Sequence, residues 1–288
     1  MLSIDPKAIS TAQLHGYLLG AVAPRPICFA STVDLEGRVN LSPFSFFNVF
    51  SANPPVMVFS PARRVRDNTT KHTLENVQEV AEVVINIVNF DMVQQMSLSS
   101  TEYGKDVNEF DKAGLTELAS ETVRPPRVAE APVQFECKVR EVIALGNEGG
   151  AGNLIVAEVV RLHVKEDVLD EQGKIDPFRI DTVARLGGNW YSRPKAGLFE
   201  VEKPLRTLGI GVDSLPELVR LSTVLTGNDL GRLGNVERLP SSEEIESWKQ
   251  TMDLSDTVKV HTDAQKLLEE GNVADALSLL MAQAIQNT

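Results

Sequence analysis

Between residues 26 and 164 the apolar positions come in short runs of period two, broken by turn residues, a pattern that predicts strands rather than helices. Ile27, Phe29, Ser31 and Val33 alternate with small residues up to a turn at 34–37 (Asp-Leu-Glu-Gly), and 38–42 reads as the returning strand of a hairpin. Residues 56–59 and 83–88 predict two more strands, with helical character at 70–79 between them and a polar, partly helical stretch at 91–118. Residues 133–142 alternate as a strand with one wet face, and 154–164 repeat the pattern. The Gly-rich run 146–152 is a long hairpin turn, so these two strands are expected to pair. Close spacing of short strands with few helices favours a barrel over a doubly wound parallel sheet, which needs regular βα alternation. The fold class expected is mainly β with helices: an open or split β-barrel, followed by an irregular and helical extension.

Beyond Trp190 the strand periodicity stops. A short helix is expected within 216–225, and residues 226–235, with three Gly among Asn, Asp and Arg, read as a loop that brings its backbone to a ligand. Asn228, Asp229, Arg232 and Asn235 are its candidate substrate contacts, and the loop is expected to cover the site. Residues 203–240 carry Leu205, Leu208, Ile210 and Leu215 among other apolar residues, too many for a linker. Ser241 and Glu244 form a capping box that starts a helix. Asn272 can cap a last helix, whose Val273, Ala276, Leu277, Leu280, Met281 and Ala284 make an apolar stripe. With 264–268 and the Gly271 break, this is a helical hairpin that superficially resembles one tetratricopeptide repeat, although one copy cannot form an array. Two domains are expected, 1–193 and 194–288.

Charge sharpens that division: of the net −12, residues 200–288 contribute −7 and residues 1–199 contribute −5. A negative field repels phosphate backbones and anionic leaflets, so neither nucleic acid nor membrane is an expected partner. The apolar segment 18–23 is too short to span a bilayer, and a cytoplasmic protein is expected. Cys28 and Cys137 sit in apolar, strand-like stretches and are expected to be reduced, packed thiols. His15, His72, His163 and His261 lack metal-ligand spacing, so no metal is expected. There is no Cys-x-x-Cys, His-Glu-x-x-His, nucleophile elbow or phosphate loop. Gly209-Ile-Gly211 lacks the third Gly of a dinucleotide fingerprint and a preceding buried strand.

What remains is an ordered constellation: Pro24-Arg25-Pro26, Ser31-Thr32, Gly37, Asn40-Leu-Ser42-Pro43-Phe44-Ser45, Asn53-Pro54-Pro55, Ser60, Lys71-His-Thr73, the Gly-rich hairpin and Arg185-Leu-Gly-Gly-Asn-Trp-Tyr191. In this order it resembles the flavin reductase-like family of FMN-binding split barrels, the flavoredoxin-type branch, over roughly residues 1–193. The resemblance implies an FMN-binding oxidoreductase that takes hydride from NADH or NADPH, built as a homodimer. The acceptor is then a small molecule or a flavin-using partner enzyme. Two alternatives are a flavin-shuttling protein whose C-terminal helices bind a partner, and an FMN-dependent reductase or oxygenase of a specific small molecule.

Residue chemistry agrees with that implication. A helix starting near Lys71 offers backbone donors and a positive dipole end, to which Ser60, Arg63 or Arg64, Lys71 and Thr73 add donors suited to a phosphate monoester. Alternatively, Thr70 or Thr73 merely caps the helix and the arginines are solvated. The isoalloxazine rim is similar to Asn40, Ser42, Pro43, Phe44 and Ser45, with Ser31 and Thr32 nearby; Pro43 lacks a donor of its own. Phe46, Phe47 and Phe50 are expected in the core, and Phe44 at the cofactor. Arg25, between two prolines, either faces the flavin edge or makes a salt bridge. Arg185 and Tyr191 are substrate candidates. Where related reductases carry Gly-Asp-His beside the nicotinamide, this chain has Asn153, which can hydrogen-bond but not transfer protons near neutral pH.

Overall fold

The computed structural model describes residues 1–286 apart from 202, 205 and 206, so Leu205 lies outside the described residues. The chain divides into two units, Met1–Phe199 and Glu200–Thr288. The first runs α1 (Thr11–Ala21), β1 (Cys28–Val33), β2 (Val39–Phe44), β3 (Phe47–Ala52), β4 (Pro55–Phe59), α2 (His72–Glu79), β5 (Glu82–Ile87), α3 (Val93–Leu98) and α4 (Glu109–Ala113). It continues through the short strands β6 (Glu117–Leu118) and β7 (Arg127–Val128) and the long pair β8 (Val133–Ala144) and β9 (Asn153–Val164). It closes with α5 (Pro177–Ile180), β10 (Ala184–Arg185) and β11 (Tyr191–Ser192).

Seven strands form one antiparallel sheet in the order β2-β1-β5-β8-β9-β4-β3. Its two outermost strands are consecutive in the chain: Phe44 ends β2 and Phe47 begins β3. Three Cα–Cα steps reach about 11 Å at most. The connection therefore draws the sheet's edges together, and the sheet curls into a barrel split between β2 and β3.

Every residue of β1 is buried. Ile27 and Phe29 pack with Leu41, Met92, Met96 and Phe110, whereas Cys28 and Ala30 pack with Met57, Phe59, Leu74, Ile85 and Cys137. Alternate side chains leave a strand on opposite faces, so β1 serves two cores and reads as apolar throughout. Both cysteines are free and buried, and burial pushes both thiols up.

The sequence pattern predicts neither α1 nor β3. α1 starts at a capping box in which Ser10 Oγ accepts from Gln13 N–H and the Gln13 side chain accepts from Ser10 N–H, but none of its residues is buried. β3 leaves Val49 and Phe50 60% and 69% exposed. Phe46 and Phe50 are thus outside the core, a correction, while Phe47 packs against it and the Phe44 ring lies 5.5 Å from that of Phe59.

The second unit holds α6 (Glu217–Arg220), α7 (Gly227–Gly234), α8 (Ser242–Thr251), α9 (Thr257–Glu269) and α10 (Val273–Gln286). Its own core gathers Leu215, Val219, Leu233, Ile245, Val260, Leu268, Leu277 and Leu280. The expected ligand loop at 226–235 is instead the helix α7. Thr226 Oγ accepts from Asp229 N–H and the Asp229 carboxylate accepts from Thr226 N–H, a capping box that outweighs the glycine content. A Cβ on Gly234 would lie 2.9 Å from Val212 N, and one on Gly209 would lie 2.6 Å from Gly234 O. These glycines let two backbone segments of the unit meet, and no ligand is needed to account for them.

Candidate functional site

α2 begins without a side-chain cap. Lys71 occupies the N-cap position and offers no acceptor. The neighbouring threonines are engaged elsewhere: Thr70 Oγ1 donates to Glu75 Oε1 (2.5 Å) and Thr73 Oγ1 to Asn40 Oδ1 (2.7 Å). Leu74 N–H turns back to Lys71 O (2.9 Å), which leaves the His72 and Thr73 N–H groups and the positive end of the helix dipole at a cleft. Asn40, Ser42, Arg64, Lys71, His72 and Thr73 line it together with Ser100, Thr101, Glu102, Tyr103 and Glu109.

Arg64 is anchored by Thr69 Oγ1 (2.9 Å) and the Thr70 carbonyl, and its Nε donates to Glu102 Oε1 at 2.7 Å. Glu102 also pairs with Arg66 (3.0 Å) and Lys71 (3.5 Å), and Arg64 first, then Arg66, lowers its carboxyl to about 2. Glu109 is 3% exposed; it accepts from Asn40 Nδ2 (3.0 Å) and Leu41 N–H (2.9 Å), and burial raises its pKa. The chain Glu109–Asn40–Thr73 fixes which way the Asn40 amide points.

Five of the expected cofactor residues, Asn40, Ser42, Arg64, Lys71 and Thr73, thus share one cleft. Ser31 and Thr32 are fully buried in β1, Thr32 opposite Asn40 and accepting from Asn76 Nδ2 (3.1 Å), while Ser31 Oγ has no hydrogen-bond partner among the described residues. Pro43 pairs with Phe29 in the sheet.

The remaining residues lie elsewhere. Arg25 is buried, and its Nη1 donates to Leu19 O (2.8 Å) and Val22 O, which are carbonyls at the C-terminal end of α1. It also reaches Leu186 O (3.1 Å) and Ser45 Oγ (3.4 Å). Burial and the nearby Arg185 lower its pKa. Of the two alternatives for Arg25, the salt bridge is not formed among the described residues; α1's orphan carbonyls and their negative dipole end hold the cation. Arg63 turns to Asn68 (2.6 Å), away from the cleft. Ser60 packs against Gly152, where a Cβ would lie 2.6 Å from its Oγ. Asn153, 5% exposed, donates its amide to Pro61 O (3.0 Å), so it ties the β8–β9 hairpin to the chain after β4 and does not face outward. Arg185 stacks 4.6 Å over the Tyr191 ring on the β10–β11 pair.

In the second unit Asn228 and Asn235 lie in and just after α7. Asp229 also takes a bond from Gln265 (3.0 Å), and Arg232 donates to Leu268 O (2.6 Å), so both charges are used inside the unit. Sequence reasoning missed Glu102 and Glu109. No motif marks them, and Asn40 and Glu109 meet only through the fold.

Residues 20–179 match the model of the flavin reductase like domain. An uncharacterised protein of Halalkalibacterium halodurans is 37% identical over 205 residues, 70% of this chain and 97% of that protein. Nitrilotriacetate monooxygenase component B from Bacillus cereus superposes with a TM-score of 0.64 at 31% identity, covering 70% of this chain and 98% of its own. The 2-nitrobenzoate 2-nitroreductase of Pseudomonas fluorescens gives a TM-score of 0.63 at 26% identity, covering 73% and 100%. A barrel split between its first-hairpin strand and the next, joined to a family match over more than half its length, assigns this chain to the flavin reductase like family.

Proposed function

We propose that this protein binds FMN and passes hydride from NADH or NADPH to it. The observation that carries the reading is the uncapped N-terminus of α2 with Arg64 and Lys71 beside it, a donor set that fits a phosphate monoester and not an uncharged ring. Arg64, Lys71 and the first-turn N–H groups would hold the phosphate, and Asn40, Ser42 and the 43–45 rim would meet the ring system. When bound, the flavin supplies the hydride-accepting ring, so this chain's residues need only position, orient and exclude water.

Component B of a monooxygenase among the structural relatives favours release of reduced flavin to a flavin-using partner enzyme. The nitroreductase relative favours direct reduction of a small molecule instead. The apolar surface of α1 and β3, with Tyr17, Leu18, Val49 and Phe50 exposed, is read as the face covered by a second copy in a homodimer. No helix among the described residues is long and apolar enough to cross a membrane, and a cytoplasmic location belongs to the same reading.

Anaerobic titration with FMN, followed by NADH or NADPH and loss of the flavin absorbance, tests the activity. Lys71→Ala is expected to weaken FMN binding roughly 10- to 150-fold, the equivalent of about 1.5–3 kcal/mol for a charge-assisted bond, and to leave riboflavin binding unmoved. Equal losses for both ligands would refute the phosphate assignment.

A further inference from the structure

The cations of the proposed phosphate subsite are already paired. Glu102 Oε1 sits 2.7 Å from Arg64 Nε and 3.5 Å from Lys71 Nζ, and its other oxygen lies 3.0 Å from Arg66 Nη2. The carboxylate lines the same cleft as the uncapped end of α2. We propose that Glu102 is an internal competitor of the flavin phosphate: it occupies the subsite in the flavin-free protein and is displaced on binding, which makes the flavin an exchanging substrate and not a resident group. The proposal rests on the phosphate reading given above.

Three features support displacement over a fixed structural pair. Glu102 is 41% exposed and its outer partner Arg66 73%, whereas the Arg64 and Lys71 side chains are 17% and 29% exposed. The acid can therefore leave for water at small cost while the cations stay at the cleft wall. The segment carrying it is closed by its own turns, Ser100 N–H to Ser97 O, Thr101 N–H to Leu98 O and Tyr103 N–H to Thr101 O, so its local backbone bonds are independent of the ion pairs. A phosphate monoester carries about −1.5 to −2 at neutral pH against −1 for Glu102, and can also accept from the first-turn N–H groups. Phosphate therefore wins the exchange, but its affinity is a difference between two anions. In the free protein Arg64 is also held by Thr69 Oγ1 and the Thr70 carbonyl, so it stays at the subsite when the carboxylate leaves.

Removing the competitor should tighten the ligand. Glu102→Gln is expected to bind FMN about 10-fold more tightly, through slower dissociation, with riboflavin affinity unchanged. Inorganic phosphate alone should raise the melting temperature of flavin-free Glu102→Gln more than that of the wild type. Glu102→Ala provides a second variant without the competing charge and should behave alike. Unchanged or weaker FMN binding in both folded variants, with Lys71→Ala still selective for FMN, overturns the competitor and leaves the phosphate site standing. If Lys71→Ala instead weakens FMN and riboflavin equally, the phosphate site falls and the competitor with it.

Discussion

Glu136 has no exposed surface, yet its carboxyl is held at about 2. Burial alone would raise it. That effect is outweighed by the Thr122 hydroxyl (2.5 Å), the N–H groups of Glu121 (2.8 Å) and Thr122 (2.6 Å), and the His163 ring at 2.8 Å. Glu109, also hidden, goes the other way: burial is the strongest influence there, and the bonds from Leu41 N–H and Asn40 do not offset it. For Glu136 the folded value lies below the ordinary 4.5, so the unfolded chain takes up the proton first. Its stabilisation is complete above about pH 4.5 and is lost as pH falls through 2. Glu136→Gln is expected to cost about 2–3 kcal/mol near neutral pH and to flatten the acid limb of the stability curve. Urea melts between pH 2 and 7 would reject this if wild type and variant lost stability in parallel. The contrast with the cleft is instructive: Asn40, Arg64, Lys71 and Thr73 were legible because their order in the chain resembles a family pattern. Glu102 and Glu109 were not, since a carboxylate's partner 31 to 69 residues away leaves no local trace.

Among the elements, legibility followed burial. β1, β2, β4, β5 and the β8–β9 pair have faces in a core and therefore print their period on the sequence. α1 and β3 expose their apolar residues, so periodicity could not mark them, although Ser10 and Gln13 were a readable capping box. In the second unit Thr226 and Asp229 carry the same kind of signal, but the three glycines of 226–235 point to a loop and mask it. Because α7 rests on that box, Thr226→Ala should destabilise the unit by about 1 kcal/mol, within the 0.5–2 range for lost N-caps. Circular dichroism melts read the effect. A variant with an unchanged melting curve would return residues 226–235 to the status of an unstructured loop.

At the scale of the whole molecule, each unit closes its own core: the barrel unit carries two apolar clusters, and the helical unit carries one of its own. The family match, residues 20–179, falls inside Met1–Phe199. A relative matched over 97% of its length needs only 70% of this chain, so a protein of the family reaches its full length without a counterpart of the rest. At the start of the second unit, Val201 and Leu208 are 73% and 90% exposed. Every residue proposed to hold the flavin phosphate, and the exposed α1–β3 face proposed to pair with a second copy, belongs to the first unit. Residues 1–199 expressed alone are therefore expected to fold cooperatively, sediment as a dimer and bind FMN as the full chain does. Sedimentation and flavin titration of that fragment beside the intact protein check all three points. A folded dimer that had lost FMN affinity would mean that the helical unit supplies part of the flavin site, whereas a monomer would remove the α1–β3 face as the proposed contact.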